Sequence, residues 1–127
     1  MEDNLTGKVI GAAIEVHKEL GPGLLESVYR KCLAYELRQK NIMVQEEYCL
    51  PVLYKGTELD SSYRIDLLVD STLIVELKAI DRVLPVHNAQ VISYLRLGNK
   101  PKGLLINVNV PVLKQGIKRF VNSIAVT

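Results

Sequence analysis

Asp66-Leu67-Leu68-Val69-Asp70-Ser71-Thr72-Leu73-Ile74-Val75-Glu76-Leu77-Lys78 is the stretch whose reading decides the fold. Tyr63–Val69 and Leu73–Leu77 are leucine-rich, β-branched runs separated by a short polar turn, the pattern of an antiparallel hairpin. Both runs are apolar at nearly every position, so the two strands are expected to be covered on both faces. Upstream, from about Glu46, Tyr48, Leu50, Val52 and Tyr54 alternate with other residues, and Lys55-Gly56 turns the chain. A third strand therefore precedes the hairpin.

Before the strands the period is helical. Leu5, Val9, Ala12 or Ala13, Val16 and Leu20 recur every three to four residues, and Gly21-Pro22-Gly23 stops the helix. A second helix follows, with Leu24, Val28, Cys32 or Leu33 and Tyr35 to Leu37 on one face, ending near Asn41. After the hairpin, Pro85 opens a third helix carrying Ala89 or Gln90, Ile92 or Ser93, Leu95 and Leu97, and Gly98-Asn99 ends it. Gly103–Val108 reads as a buried strand, reached by a helical crossover and so parallel to the strand before it. Residues 112–123 are expected to form a closing helix with Leu113, Ile117, Phe120 and Val121 inward. The order is ααβββαβα, an α/β sandwich with a central mixed β-sheet flanked by helices.

A chain of 127 residues with no internal linker reads as one domain, able to bury roughly two-thirds of its unfolded surface. No apolar run approaches the ~20 residues needed to span a bilayer, so no membrane association is expected. Cys32 and Cys49 form no CxxC pair, and no secretory leader is apparent, which points to a cytoplasmic home with both thiols packed as small hydrophobes. His17 and His87 show no zinc-ligand spacing with them. The net charge of +2 is small but unevenly spread. Residues 1–78 carry nine Lys/Arg against thirteen Asp/Glu, and residues 79–127 carry seven against one. Gathered on one side, Arg82, Arg96, Lys100, Lys102, Lys114, Lys118 and Arg119 would face a polyanion. Scattered, they are only solubilising charge.

Strand periodicity puts Glu76 and Lys78 on one face, and the antiparallel neighbour can bring Asp66 alongside. Two close carboxylates raise one another's pKa unless a cation lies between them. Mg²⁺ fits, because it takes hard oxygen ligands and keeps several waters. Lys78 could hold an attacking water or stabilise charge on a phosphoryl oxygen. An ion pair joining two strand ends is the structural alternative.

Asp66, Glu76-Leu77-Lys78 and the helix with Gln90-Val91-Ile92-Ser93-Tyr94 resemble the PD-(D/E)XK nuclease superfamily, whose RecB-type branch carries a similar Gln-x-x-x-Tyr helix. Leu20-Gly21-Pro22-Gly23-Leu24-Leu25-Glu26-Ser27-Val28-Tyr29, Tyr54-Lys55-Gly56, Tyr63-Arg64-Ile65-Asp66 and Gly103-Leu104-Leu105-Ile106-Asn107 resemble the GxxExxY family of that superfamily. The likeness runs from about residue 5 to residue 121. It implies a single nuclease-like domain over residues 1–127 with the restriction-endonuclease-like α/β sandwich. Asp66, Glu76, the Leu77 carbonyl and Glu26 would be the metal ligands, and Lys78 the catalytic lysine. Gln90 would serve the catalytic set, and Tyr94, Tyr29 and His87 would position substrate. His17 is a weaker candidate. The sequence departs from the pattern at Arg64-Ile65-Asp66, where the superfamily name has Pro-Asp, and at Asn107-Val108-Asn109-Val110, where an aromatic residue and glycine are expected after the asparagine.

The activity implied is Mg²⁺-dependent (or Mn²⁺-dependent) hydrolysis of phosphodiester bonds in nucleic acid, DNA first. A catalytically silent nuclease-fold module that binds nucleic acid or a protein partner is the alternative, and a homodimer could complete the substrate groove. Tyr48, Tyr54, Tyr63 and Phe120 are expected in the core rather than as a base-stacking platform.

Overall fold

The computed structural model describes residues 4–123; the remainder of the expected 1–127 domain lies outside the described residues. They form α1 (Asn4–Leu20), α2 (Glu26–Gln39), β1 (Val44–Tyr54), β2 (Thr57–Val69), β3 (Leu73–Lys78), α3 (Pro85–Gly98), β4 (Lys102–Asn107), a 3₁₀ turn (Leu113–Gly116) and β5 (Ile117–Val121). The five strands make one mixed sheet in the order β1-β2-β3-β4-β5. Every pair is antiparallel except β3 with β4, which are parallel and joined through α3 as the crossover demands. This is the expected restriction-endonuclease-like α/β architecture.

β3 is the centre of the molecule. Leu73, Val75 and Leu77 pack against α1 and α2, while Ile74 joins Val91 and Leu95 of α3 on the other face. Both faces are thus covered, and Leu73 to Leu77 are all buried. The third helix docks on Val91 and Leu95, at i and i+4, rather than on the Ala89 and Ile92 positions that the sequence also allowed. Ile92 is exposed.

The β1–β2 hairpin is longer than its apolar content indicates, because β2 begins at Thr57, not at Tyr63. Lys55 and Gly56 both take positive φ, which matches the right-handed twist of the two strands and lets the hairpin run on past the core. Its outer half, from Thr57 to Arg64, is exposed. Tyr54 and Tyr63 therefore stand at the surface, contrary to their expected place in the core; Tyr48 and Phe120 are partly buried.

One irregularity in this hairpin positions the site. Leu67 and Val69 face α1 and α2, but Ile65 and Leu68 both face α3, so the alternation breaks at Asp66. The opposite residue in β1, Glu47, has φ +49°, a backbone state uncommon outside glycine. The β2–β3 ladder runs through Leu67–Val75, Leu68–Ile74 and Val69–Leu73 and stops there, freeing Asp66 to point off the strand end.

The expected closing helix over 112–123 is not formed. Residues 113–116 make one 3₁₀ turn, and Ile117–Val121 pair antiparallel with β4. Leu113, Ile117, Phe120 and Val121 satisfy a helical period, yet Gly116 weakens a helix by about 1 kcal/mol relative to alanine. The decisive partner is distant in sequence. Without β5, the buried strand β4 would leave a row of backbone groups unpaired. Gly116 makes the approach possible, since a Cβ there would lie 2.1 Å from the Asn107 carbonyl oxygen. Leu113 is buried as expected, Ile117 and Phe120 are half-buried, and Val121 is exposed. Cys32 is half-buried and Cys49 exposed, so only the first thiol packs as anticipated.

Candidate active site

At the splayed end of β2 and β3, Asp66 Oδ2 accepts the Leu77 N–H at 2.7 Å. This charge-assisted bond replaces the ladder bond that the hairpin does not make. It also fixes the carboxylate beside Glu76, which shares the α3 face with Ile74. Glu76 is only 7% exposed. Burial pushes its carboxyl up to about 9, and the Asp66 charge and hydrogen bond push the same way, against Lys78. Glu76 Oε1 is buried without a hydrogen-bond partner among the described residues. Tyr94 of α3 belongs to the same neighbourhood: burial first, then the charges of Glu76, Tyr63 and Asp66, raise its phenol above the usual value.

Lys78 sits two residues beyond Glu76 on the same face and is half-buried. Its backbone carbonyl accepts the Val108 N–H at 2.8 Å, which ties the end of β3 to the end of β4. Asn107, opposite Lys78 in the parallel register, strengthens that tie. Its buried amide accepts the Ile80 and Asn109 N–H groups, each at 3.2 Å, and donates to the Ile80 carbonyl at 2.9 Å. In the sequence Asn107 closes the Gly103–Asn107 motif and opens an atypical loop, with no role of its own. An amide closing a buried apolar strand is the signal that it has backbone to satisfy.

A sequence profile of the PD-(D/E)XK nuclease superfamily matches residues 3–120. The chain belongs to that superfamily. No curated protein and no solved structure matches it.

The superfamily pattern gives each candidate residue an expected place. Asp66, Glu76 and Lys78 are near enough to act on one another electrostatically. Glu26, at the first turn of α2, reaches the exit of β3, where its Oε2 accepts the Ala79 N–H at 3.2 Å. It does not merge with Asp66 and Glu76 into one cluster: among the described residues no three His, Cys, Asp or Glu side chains are gathered as a metal site. Gln90 and Tyr94 line one groove from the same side of α3, as their i, i+4 spacing implies.

Two residues go elsewhere. Tyr29, instead of facing substrate, is buried, donates its hydroxyl to the Gly21 carbonyl and accepts the Leu24 N–H at 3.2 Å. Gly21 and Gly23 have φ of +70° and +102°, and the tyrosine clasps the turn that they allow. The Gly-x-x-Glu-x-x-Tyr spacing thus holds the helix hairpin and sets Glu26 at its start. Replacing Tyr29 by Phe should cost about 1–2 kcal/mol of stability, visible as a lower thermal midpoint. His87 caps α3, its Nδ1 accepting the Leu84 N–H at 2.9 Å. His17 is also structural, with Nε2 3.0 Å from the Val108 carbonyl oxygen.

The donor set suits a divalent cation. Two carboxylates share a site, one keeps a buried oxygen unpartnered, and burial holds Glu76 protonated at neutral pH unless positive charge is supplied. Leu77 adds to it. A strand residue's N–H and C=O point to the same side, so the carbonyl of Leu77 looks toward Asp66 as its N–H does.

Three residues of the basic half line concave surfaces. Arg82 and Lys118 line a cavity of about 440 Å³ together with Asn107, the register neighbour of Lys78. Arg96 lines a second groove on the Tyr94 side. Among the described residues, no helix is long and apolar enough to cross a membrane.

Proposed function

We propose that the protein is a divalent-metal-dependent nuclease that hydrolyses phosphodiester bonds, with DNA as its substrate. The observation that carries this reading is the meeting of Asp66 with a buried Glu76 that keeps an unpartnered carboxylate oxygen, with Lys78 on the same face. The family's membership alone does not require activity. A structural ion pair needs no orphaned, buried oxygen, and such an oxygen costs about 1–3 kcal/mol when left unmet.

Asp66, Glu76 and the Leu77 carbonyl would hold Mg²⁺ or Mn²⁺, with Glu26 fixing the β3 exit beside them. The bound ion would supply Lewis-acid polarisation of the phosphoryl oxygen and of a water. The remaining work falls to the protein. Lys78 orients the attacking water and meets the negative charge that grows on the phosphoryl oxygen. Water oxygen bonds to phosphorus as the bond to the leaving sugar oxygen breaks, and the proton that the water gives up passes through solvent to that oxygen. Gln90 donates its amide N–H to a phosphate oxygen and Tyr94 closes the site from above. Asn107 acts at one remove, by keeping the Lys78–Ile80 segment against β4.

Purified protein titrated with Mg²⁺ and Mn²⁺ against labelled single- and double-stranded DNA tests the proposal. Cleavage that needs the metal and vanishes in Glu76→Ala is the expected result. Metal binding with no cleavage of any strand would leave a nuclease-fold binding module in its place.

A further inference from the structure

The groove beside the acid pair shares Gln90 and Tyr94 with the proposed hydrolysis but has a further wall, Val52 and Tyr63, that the reaction does not use. It runs between α3 and the inner part of the β1–β2 hairpin, with a volume of about 530 Å³, within the size range of small-molecule sites (roughly 300–1,000 Å³). Its lining is largely apolar and aromatic, with Gln90, Ser93 and Arg96 as polar contributors. Tyr63 stands on the hairpin side and Tyr94 on the helix side, their ring centroids 5.4 Å apart and their planes inclined by 45°. Tyr94 is shared with the acid pair, so an occupant of the groove lies next to the reacting phosphate. Tyr63 is 48% exposed although it belongs to an otherwise apolar wall. A tyrosine so placed presents a ring face rather than filling a core.

We propose that this groove is a nucleobase site, in which the base adjoining the scissile phosphate packs on the Tyr63 ring with its edge toward Gln90. The reading rests on the nuclease function for the position of that phosphate. Its consequence is a preference for strandedness. A base within a duplex has both faces stacked and its pairing edge occupied, and it cannot enter a slot between a helix and a hairpin. An unstacked base offers a face to an aromatic ring and an edge to an amide, whatever its sequence. Arg96, at the same groove, meets the backbone charge of the continuing strand. The preferred substrate is therefore single-stranded DNA or a frayed end.

Fluorescence anisotropy of a labelled oligodeoxynucleotide, single-stranded or as a blunt duplex, tests this on the full chain in EDTA and low salt. Chelation prevents cleavage, so the readout is independent of turnover. The single strand is expected to bind at least 10-fold more tightly than the duplex, about 1.4 kcal/mol. Tyr63→Leu keeps the apolar bulk and removes the ring; it should weaken single-strand binding about 10-fold and leave duplex binding unchanged. Tyr63→Phe should bind as the wild type does, and thermal melting should show all three proteins folded alike. Equal affinity of Tyr63→Leu and wild type for the single strand, equal affinity for the two substrates, or no measurable single-strand binding would overturn the proposal. Tyr63-dependent binding without cleavage in Mg²⁺ would remove the nuclease reading and leave the base site standing. Metal-dependent cleavage indifferent to Tyr63 would do the reverse.

Discussion

In chelator at pH 8, Glu76→Gln should melt about 10 °C above the wild-type protein. The Glu76 carboxyl is lifted from 4.5 to about 9 by burial first and by Asp66 second. In the unfolded chain the same group ionises near its ordinary value. Between those two values the folded protein keeps a proton that the unfolded chain gives up. The stability this proton provides is complete below about pH 4.5 and drains away as pH rises toward 9, at up to about 1.4 kcal/mol per pH unit. Glutamine has no proton to lose and can still donate a hydrogen bond to Asp66. The two proteins should therefore melt together near pH 4.5 and diverge above it, by up to about 5 kcal/mol at pH 8, which for a chain of this size is on the order of 10 °C. Mg²⁺ or Mn²⁺ should close the gap from the wild-type side, because a cation bound by the native acid pair stabilises it by mass action. Melting curves that run parallel from pH 5 to 9 in EDTA would show that Glu76 is not held protonated. The same substitution should remove cleavage, so the residue that destabilises the metal-free fold is the one that the activity needs.

That conflict explains why part of this site could be read from the sequence. Asp66, Glu76 and Lys78 are polar interruptions in runs that are otherwise leucine, valine and isoleucine, and a period of two places them without knowledge of the rest of the fold. The caps of α3 are local as well: Pro85 starts it and Asn99, with φ +50°, ends it. What was not legible depended on distant partners. The segment 112–123 fits a helix as well as a strand, and the bare edge of β4 decided between them. Tyr29 shares a face with Glu26 by helical geometry, yet its hydroxyl belongs to the turn at Gly21–Leu24 that only the folded hairpin brings near. Tyr63 was expected inside because alternation was extended through it. The hairpin changes face at Asp66 and then outruns α3, which leaves that ring at the mouth of a groove.

Lys78→Ala should lose at least about 10³-fold in kcat/KM, or about 4 kcal/mol of transition-state stabilisation, while still binding metal. Its charge lies on the face of Glu76 and opposes the rise of that carboxyl's pKa, so the two are electrostatically linked across a short gap. A cation entering between Asp66 and Glu76 is repelled by the same ammonium. Removing the lysine therefore relieves a like-charge contact on the order of 1 kcal/mol or more, and the Mn²⁺-induced rise in melting temperature should be kept or enlarged. Asp66→Asn should behave differently, losing cleavage and the Mn²⁺ effect together, because it removes a donor oxygen rather than a neighbouring charge. Lys78→Arg should recover little, since a planar guanidinium spreads its charge over a fork that does not replace a compact ammonium. This contrast separates a catalytic lysine from a strand-end counter-ion. A counter-ion's loss would leave buried Glu76 and half-buried Asp66 with less compensation, and fold stability would fall with activity in proportion. A catalytic lysine's loss leaves the metal-bound fold at least as stable and the phosphodiester uncut.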